Sequence, residues 1–449
     1  MSGADDALDV DVVVIGGGMA GLTVAASVAQ AQRSVIVLEA ADDVGGSARL
    51  SEGYVWTAPS LDVFEEEDPG GDAELFVRML DALEPSFAWV EELSVPLGPR
   101  LTKVLGYGEG RQIDVGAYVA RCVSIVESAG GYVLRGTAPS SLATHDGRVT
   151  GVVVPDGEGG EQTLGARAVV VATGGFQSSE EARAEWMGES ARDLLLRSNQ
   201  RSVGDGIRLG LDVGADLKGP ADGFYGHLVA YPLDRFEPRD FAALSQYYSE
   251  HGVLVDSRGL RFTDESLGDH VNTIAVVATG RAVLIVDERV RRTEVVRAFI
   301  PGMDAVDKLE LAAGRGARTA SAPSLDELAT SLDAWGYDGT RAVATVREFN
   351  AALQTGSALS PSRARLRSPL IEPPFAAIEV QPAITFTYRG LASDADGRVL
   401  SGGEPIPGLY VAGADLGGLN ARGYTGGLVR GLALGRVTAA ALAADLGWS

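Results

Sequence analysis

The sequence predicts an α/β fold of the Rossmann-like, doubly wound kind, interrupted by an inserted α+β segment. Three observations carry that prediction. First, Asp11-Val12-Val13-Val14-Ile15 is a short apolar run. It leads into Gly16, Gly18 and Gly21 in G-x-G-x-x-G spacing, an alanine-rich helical pattern to about Gln30, a second apolar run from Val35 to Leu38, and Glu39 at its end. Second, Ala168-Val169-Val170-Val171-Ala172-Thr173 before Gly174-Gly175, and Leu409-Tyr410-Val411-Ala412 before Gly413, read as two more buried strands closed by glycine turns. Third, segments of this type stop after Gly174 and resume only near Ala376. Between about 205 and 345 the pattern is mixed strand and helix, including a capping-box helix start at Ser324 and Glu327. The expected division is therefore 1–203, an insert over 204–346, and 347–449.

At 449 residues the chain exceeds one ordinary core, so two domains are expected. Its hydrophobic content of 45% suits a soluble globular protein. No apolar run approaches the roughly 20 residues needed to cross a bilayer. Cys122 is the sole cysteine. That excludes an intrachain disulfide, a cysteine-based metal or iron–sulfur site and a dithiol redox centre, and no metal site is expected. A net charge of −23 argues against nucleic acid or an anionic membrane as partner. The acidic start, Met-Ser-Gly-Ala-Asp-Asp, lacks the basic-then-apolar profile of a secretory signal, so the cytoplasm is the expected location. The run Glu65-Glu66-Glu67-Asp68 reads as a solvated loop or helix end.

A strand feeding a glycine turn and then a helix aims unpaired N–H groups and a positive helix end at a pyrophosphate. Here Gly16, Gly18, Met19, Ala20 and Gly21 form that turn. Glu39, followed by Ala40, stands where a carboxylate holds both ribose hydroxyls of an adenosine. Only one such fingerprint follows a strand and precedes a helix, whereas a reductase with a dedicated nicotinamide domain carries two. Gly45-Gly46-Ser47 follows Glu39 by six residues, with Ser51 just beyond. In an FAD domain such a turn approaches the pyrophosphate and the chain then runs beneath the flavin ring; an NAD domain has no fixed task for it. Asp415 is placed to bind ribityl hydroxyls. Gly426-Gly427-Leu428 opens an alanine-rich helix to about Ala444, whose first N–H groups suit the flavin N1/O2 edge. Ala138, Ala172, Thr173, Gly174, Asp205 and Gly413 complete the expected cofactor set, and the cofactor is read as FAD.

With these residues in place the chain resembles the FAD-binding-2 group, the fumarate reductase and 3-ketosteroid dehydrogenase-like flavoproteins. The likeness spans nearly the whole length. It includes Gly45-Gly46-Ser47 with Ser51 and Trp56, the Ala172-Thr173-Gly174-Gly175-Phe176 turn and Gly204-Asp205-Gly206. It continues in Gly252-Val253-Leu254-Val255-Asp256 with Gly259-Leu260-Arg261-Phe262, and in Pro405 to Gly413. The resemblance implies a discontinuous FAD-binding domain of the glutathione-reductase type with an inserted capping domain. It also implies non-covalent FAD, because no histidine or cysteine stands at the family's linkage turn near Ser51.

Carried over position by position, the resemblance matches Thr387 to the threonine of the reductases' His-Thr-x-Gly-Gly turn, and Arg422 to the arginine that clamps a substrate carboxylate. The histidine of that turn is Phe386 here. The proton-delivering arginine falls at or beside Asp269, which cannot donate a proton at neutral pH unless strongly perturbed. These replacements argue against succinate or fumarate and toward a ketone or enone, as in the ketosteroid branch. That branch uses tyrosine hydroxyls, for which Tyr424, Tyr388, Tyr54 and Tyr225 are the candidates. His227 in Gly223-Phe224-Tyr225-Gly226-His227 is a further candidate, as is Arg389 beside Thr387; His270 is read as structural and His145 as a surface residue. The expected reaction is desaturation of a CH–CH bond next to a carbonyl. Tyr424 or Tyr388 takes the α-proton, and Thr387, Arg422 or a backbone N–H holds the enolate. The expected partners are a small hydrophobic carbonyl compound and an unidentified electron acceptor or donor. Alternative readings are an ene-reductase acting on a non-dicarboxylate enoate, and a non-redox FAD-dependent isomerase or hydratase.

Overall fold

The computed structural model describes residues 9–298 and 305–448. The chain separates into two compact units. The first runs up to Met187 and adds Ser198–Phe224 and the chain from Phe386 onward; the second takes Gly188–Arg197 and Tyr225–Thr385.

The first unit is built on a parallel sheet in the order Glu404–Val411, Glu161–Val171, Val10–Ile15, Val35–Glu39, Tyr132–Arg135, with Arg398–Ser401 added antiparallel at one edge. Val13 pairs with Ile36 on one side and Val169 on the other. A parallel sheet covered on both faces needs continuous β-branched runs, which is why these strands read as unbroken valine and isoleucine. Val12, Val13 and Val14 are fully buried. Met19–Gln30 covers one face through Val24, Ala25, Val28 and Ala29. The final helix packs beside it. The absent side chain of Gly435 makes that approach possible, because a Cβ there would lie 3.0 Å from Thr23 Cβ and 3.2 Å from the Ala20 carbonyl oxygen. The expected continuous helix from Leu428 is broken in its first turns by a π-helical stretch, Arg430–Leu434, before Gly435–Asp445 continues as α-helix. Cys122 is fully buried on the helix Val115–Ser128, and burial pushes its thiol up to about 12.

The acidic run departs from expectation at one residue. Leu61–Glu67 is a helix, with Glu65 and Glu66 exposed, but the residue that ends it, Asp68, is fully buried. Its carboxylate accepts the N–H groups of Ala421, Arg422 and Gly423 at 2.7–3.1 Å and the side-chain amide of Asn420 at 2.8 Å. A buried carboxylate with four donors is satisfied in the way such a charge requires.

The second unit is centred on the strand Phe375–Thr387, of which only Phe386 and Thr387 belong to the first unit. Ala282–Val286 and Thr319–Ala322 pair with it antiparallel, Leu195–Leu196 pairs parallel, and Val253–Val255 extends the sheet beyond Ala282–Val286. Leu325–Ala334 begins at Ser324, whose hydroxyl accepts the Glu327 N–H at 3.3 Å as the capping pattern predicts. The observed division differs from the expected 204–346 insert at both ends. The helix Asp205–Asp212 stays with the first unit because the Gly206 N–H donates to Thr173 Oγ1 and Gly210 lies against Leu391. Residues 347–385 join the second unit because the helix Gly339–Thr355 and the central strand are parts of its core.

Candidate active site

Each glycine of the first turn has a separate reason. Gly16 adopts φ +109°, and a Cβ on it would sit 2.2 Å from the Ala172 carbonyl oxygen; a Cβ on Gly21 would sit 1.9 Å from the oxygen of Gly16. Gly18, in extended backbone ahead of the helix, is different, since a Cβ there meets nothing within 4 Å. The fold needs no glycine at that position, and the open space above its backbone is the cradle that a pyrophosphate occupies in such a turn. Glu39 Oε2 accepts the Gly17 N–H and its Oε1 the Ala41 N–H, both at 2.8 Å, which fixes the carboxylate beside the turn. The Thr137 N–H donates to the Glu39 carbonyl, bringing exposed Ala138 next to Glu39 and Ala40. Gly45 (φ +111°) and Gly46 (φ +51°) bring Ser47 back toward the turn through a Gly18–Gly45 bridge. The Ser47 hydroxyl meets Ser198 and Asn199, and the Ser51 hydroxyl donates to the Ala48 carbonyl. The donor set and the open cradle fit FAD.

Asp415 is placed differently from expectation. It is fully buried, and its carboxylate accepts from Thr173 Oγ1 and from the N–H groups of Gly174 and Gly175 at 3.0–3.1 Å. It ties the Thr173 turn to the Gly413 turn rather than standing open to a ribityl hydroxyl, and burial raises its pKa despite those donors. Asp205 is exposed at the start of its helix.

The loop leading to Gly427 carries an aromatic cluster. Tyr424 stands edge-on to Trp56 at 5.3 Å and tilted to Phe386 at 6.2 Å, and its hydroxyl accepts the Gly427 N–H at 3.1 Å. Leu428 follows, half-buried, in the first turn of the helix. Tyr388 is fully buried and donates its hydroxyl to the Gly423 carbonyl, which ties the strand end to the loop, and burial raises its pKa well above the ordinary value. Thr387 is buried, with its hydroxyl on the Arg389 carbonyl at 3.2 Å. Arg389 is half-buried. Arg422 is exposed, its backbone N–H held by Asp68. The buried guanidinium of this region is Arg430, which no motif signalled. It lies 5.4 Å over the Phe386 ring and donates Nη2 to the Leu416 carbonyl, its Nε and Nη1 have no partner among the described residues, and burial pushes its pKa down to about 10.

The second unit holds its own cluster. His227 and Asp269 are buried and share a hydrogen bond between Nδ1 and Oδ2, while His227 Nε2 meets the Tyr225 hydroxyl at 2.8 Å. Burial pushes the Asp269 carboxyl up to about 7, so this residue is perturbed in just the way its sequence position left open. Burial, then the charges of Arg197 and Lys308, hold His227 well below the usual imidazole range. Lys308 is itself pushed down to about 7 by burial, and no motif signalled it or Arg197. His145 is exposed, as expected, and His270 is buried. Tyr54 lies half-buried at the start of the strand Tyr54–Thr57. Among the described residues no cluster of histidine, cysteine or acidic residues could hold a metal ion, and no helix is long and apolar enough to cross a membrane.

A family model described as an FAD binding domain matches residues 11–86 and 100–427. A fumarate reductase (cytochrome) of Shewanella frigidimarina is 27% identical over 93% of this chain and 74% of its own length. A 4-oxocyclohexanecarboxylate 2-dehydrogenase of Sinomonas cyclohexanicum is 25% identical over 93% of this chain and 89% of its own length. The crystal structure of a 3-ketosteroid-Δ4-(5α)-dehydrogenase from Rhodococcus jostii RHA1 superposes with a TM-score of 0.74 at 22% identity, covering 98% of each chain. The chain belongs to the FAD-binding-2 family and is an FAD-dependent oxidoreductase.

Proposed function

We propose that this enzyme desaturates the carbon–carbon bond next to the carbonyl of an uncharged, largely apolar substrate, a cyclic ketone or ketosteroid-like compound. The observation that supports this reading is the aromatic lining of the Gly427 loop, formed by Trp56, Phe386 and Tyr424 where a dicarboxylate would need cations. Arg422, the residue matched to a carboxylate clamp, is exposed. FAD, when bound, supplies the two-electron chemistry by accepting a hydride. The protein polarises the carbonyl. The Tyr424 hydroxyl accepts from the Gly427 N–H, which draws electron density from its oxygen and makes the phenol a stronger donor to a carbonyl. That hydrogen bond strengthens as enolate charge develops, and buried Arg430 adds positive charge to the same loop.

The test is anaerobic bleaching of the bound flavin by a panel of cyclic ketones, ketosteroids and succinate. Ketones are expected to bleach it and succinate is not. Tyr424→Phe is expected to slow bleaching about 10²-fold while the flavin stays bound, the usual cost of removing one oxyanion donor. Bleaching by succinate alone overturns the reading. Reoxidation of the reduced enzyme by enones measures the reverse, ene-reducing direction.

A further inference from the structure

We infer that Arg430 is a fixed positive charge that makes the bound FAD easier to reduce, by stabilising the negative charge that the cofactor gains when a hydride reaches it. This goes beyond the CH–CH reading above, since it holds for any substrate that delivers a hydride. Hydride transfer breaks a substrate C–H bond, brings two electrons and one proton to FAD and leaves one added negative charge on the flavin ring. A cation held in low dielectric near that ring favours the reduced state.

The evidence lies within the first unit. Arg430 stands in the first turn of the helix that Leu428 opens, at the head of the π-helical stretch Arg430–Leu434. Its side chain joins this helix start to two other segments that the sequence sets around the flavin. Nη2 donates to the Leu416 carbonyl at 2.6 Å, just after the turn Gly413–Asp415, and the guanidinium lies over Phe386, which precedes Thr387. Two effects oppose a cation at this place. The first turn of a helix carries the positive end of its dipole, which favours anions. The side chain is also only 1% exposed, and a buried guanidinium is destabilising unless it is paired. Among the described residues its Nε and Nη1 have no hydrogen-bond partner. The two carboxylates whose charge reaches it are held by other donors. Asp68 accepts from Asn420 and from the backbone N–H groups of Ala421, Arg422 and Gly423, and Asp415 accepts from Thr173, Gly174 and Gly175. The Phe386 ring face offsets only part of the deficit. What remains is an incompletely paired cation beside the helix start, and the anion that suits it is the reduced cofactor. The helix start alone has less to offer, because the Gly427 N–H already donates to the Tyr424 hydroxyl. Burial lowers the Arg430 pKa to about 10, so the charge is present throughout the neutral range.

The test needs no substrate, so its outcome is independent of whether any ketone bleaches the flavin. The midpoint potential of the FAD-loaded protein is measured by slow enzymatic reduction beside a reference dye. The parent is compared with Arg430→Met, Arg430→Gln and Arg430→Lys, with flavin retention and melting temperature as controls. The parent is expected to hold its flavin at a higher potential than free FAD. It is also expected to bind sulfite, whose sulfur lone pair adds to the flavin and leaves the same negative charge on the ring. Arg430→Met and Arg430→Gln are expected to shift the ratio of reduced to oxidised flavin at least about tenfold toward the oxidised form, about 30 mV for a two-electron couple. Sulfite affinity should fall by a similar factor. Arg430→Lys keeps the charge and is expected to stay near the parent on both measures. A neutral variant that retains FAD with the parent's potential and sulfite affinity overturns the inference. A shift as large in Arg430→Lys as in Arg430→Met assigns the effect to packing and overturns it as well. If neither neutral variant holds FAD, the parent decides: a potential above that of free FAD supports the inference, and one at or below it overturns it.

Discussion

Two glycines three residues apart in one motif have opposite tolerances. Gly21 packs so closely on Gly16 that an alanine there must push the backbone, whereas Gly18 has open space and a φ of −77° that any residue adopts. Gly18→Ala is therefore expected to fold with the parent's apoprotein melting temperature yet bind FAD at least about tenfold more weakly, because the methyl fills the cradle where the pyrophosphate approaches. Gly21→Ala is expected to lower the apoprotein melting temperature itself. Fluorescence titration of stripped protein with FAD, alongside thermal melts, separates the two. A parent-like FAD affinity for Gly18→Ala would place the pyrophosphate elsewhere.

Elements whose chemistry is local were legible in the sequence. The strand, turn and helix of Val10–Gln30, the Thr173 turn and the Ser324 cap all follow from residues within a few positions of one another. Pairings across the chain were not. Asp68 reads as one more acid in a solvated run, since its four donors lie more than 350 residues away. Asp269 reads as an inert replacement until the fold sets it beside His227, 42 residues earlier. Arg422 and Arg430 show the same limit in reverse, because the arginine that matches a motif is exposed and the one that matches nothing is buried. The helix pair Met19–Gln30 and Gly435–Asp445 offers a test at this scale. Gly435→Leu must drive Thr23 and the Ala20 carbonyl away, and overpacking of this kind typically costs about 1–3 kcal/mol. Denaturant unfolding should show that loss, and an unchanged midpoint would mean that the helices lie farther apart.

Across the whole molecule, the two units divide the chemistry unevenly. The cofactor cradle, the Tyr424 loop and Arg430 belong to one, and the titrating cluster of Asp269, His227 and Lys308 belongs to the other. The chain passes from one to the other at four places in sequence, so neither unit is a contiguous segment that could be cut out and kept. The one thiol lies in the cradle-bearing unit, on the helix Val115–Ser128, and burial keeps it protonated well past physiological pH. A sulfhydryl that meets solvent only when its helix comes away serves as an internal clock for opening. Labelling by a thiol reagent should be negligible in the native enzyme and should slow further as FAD is added. A labelling rate indifferent to FAD would mean that the cofactor does not stabilise this unit.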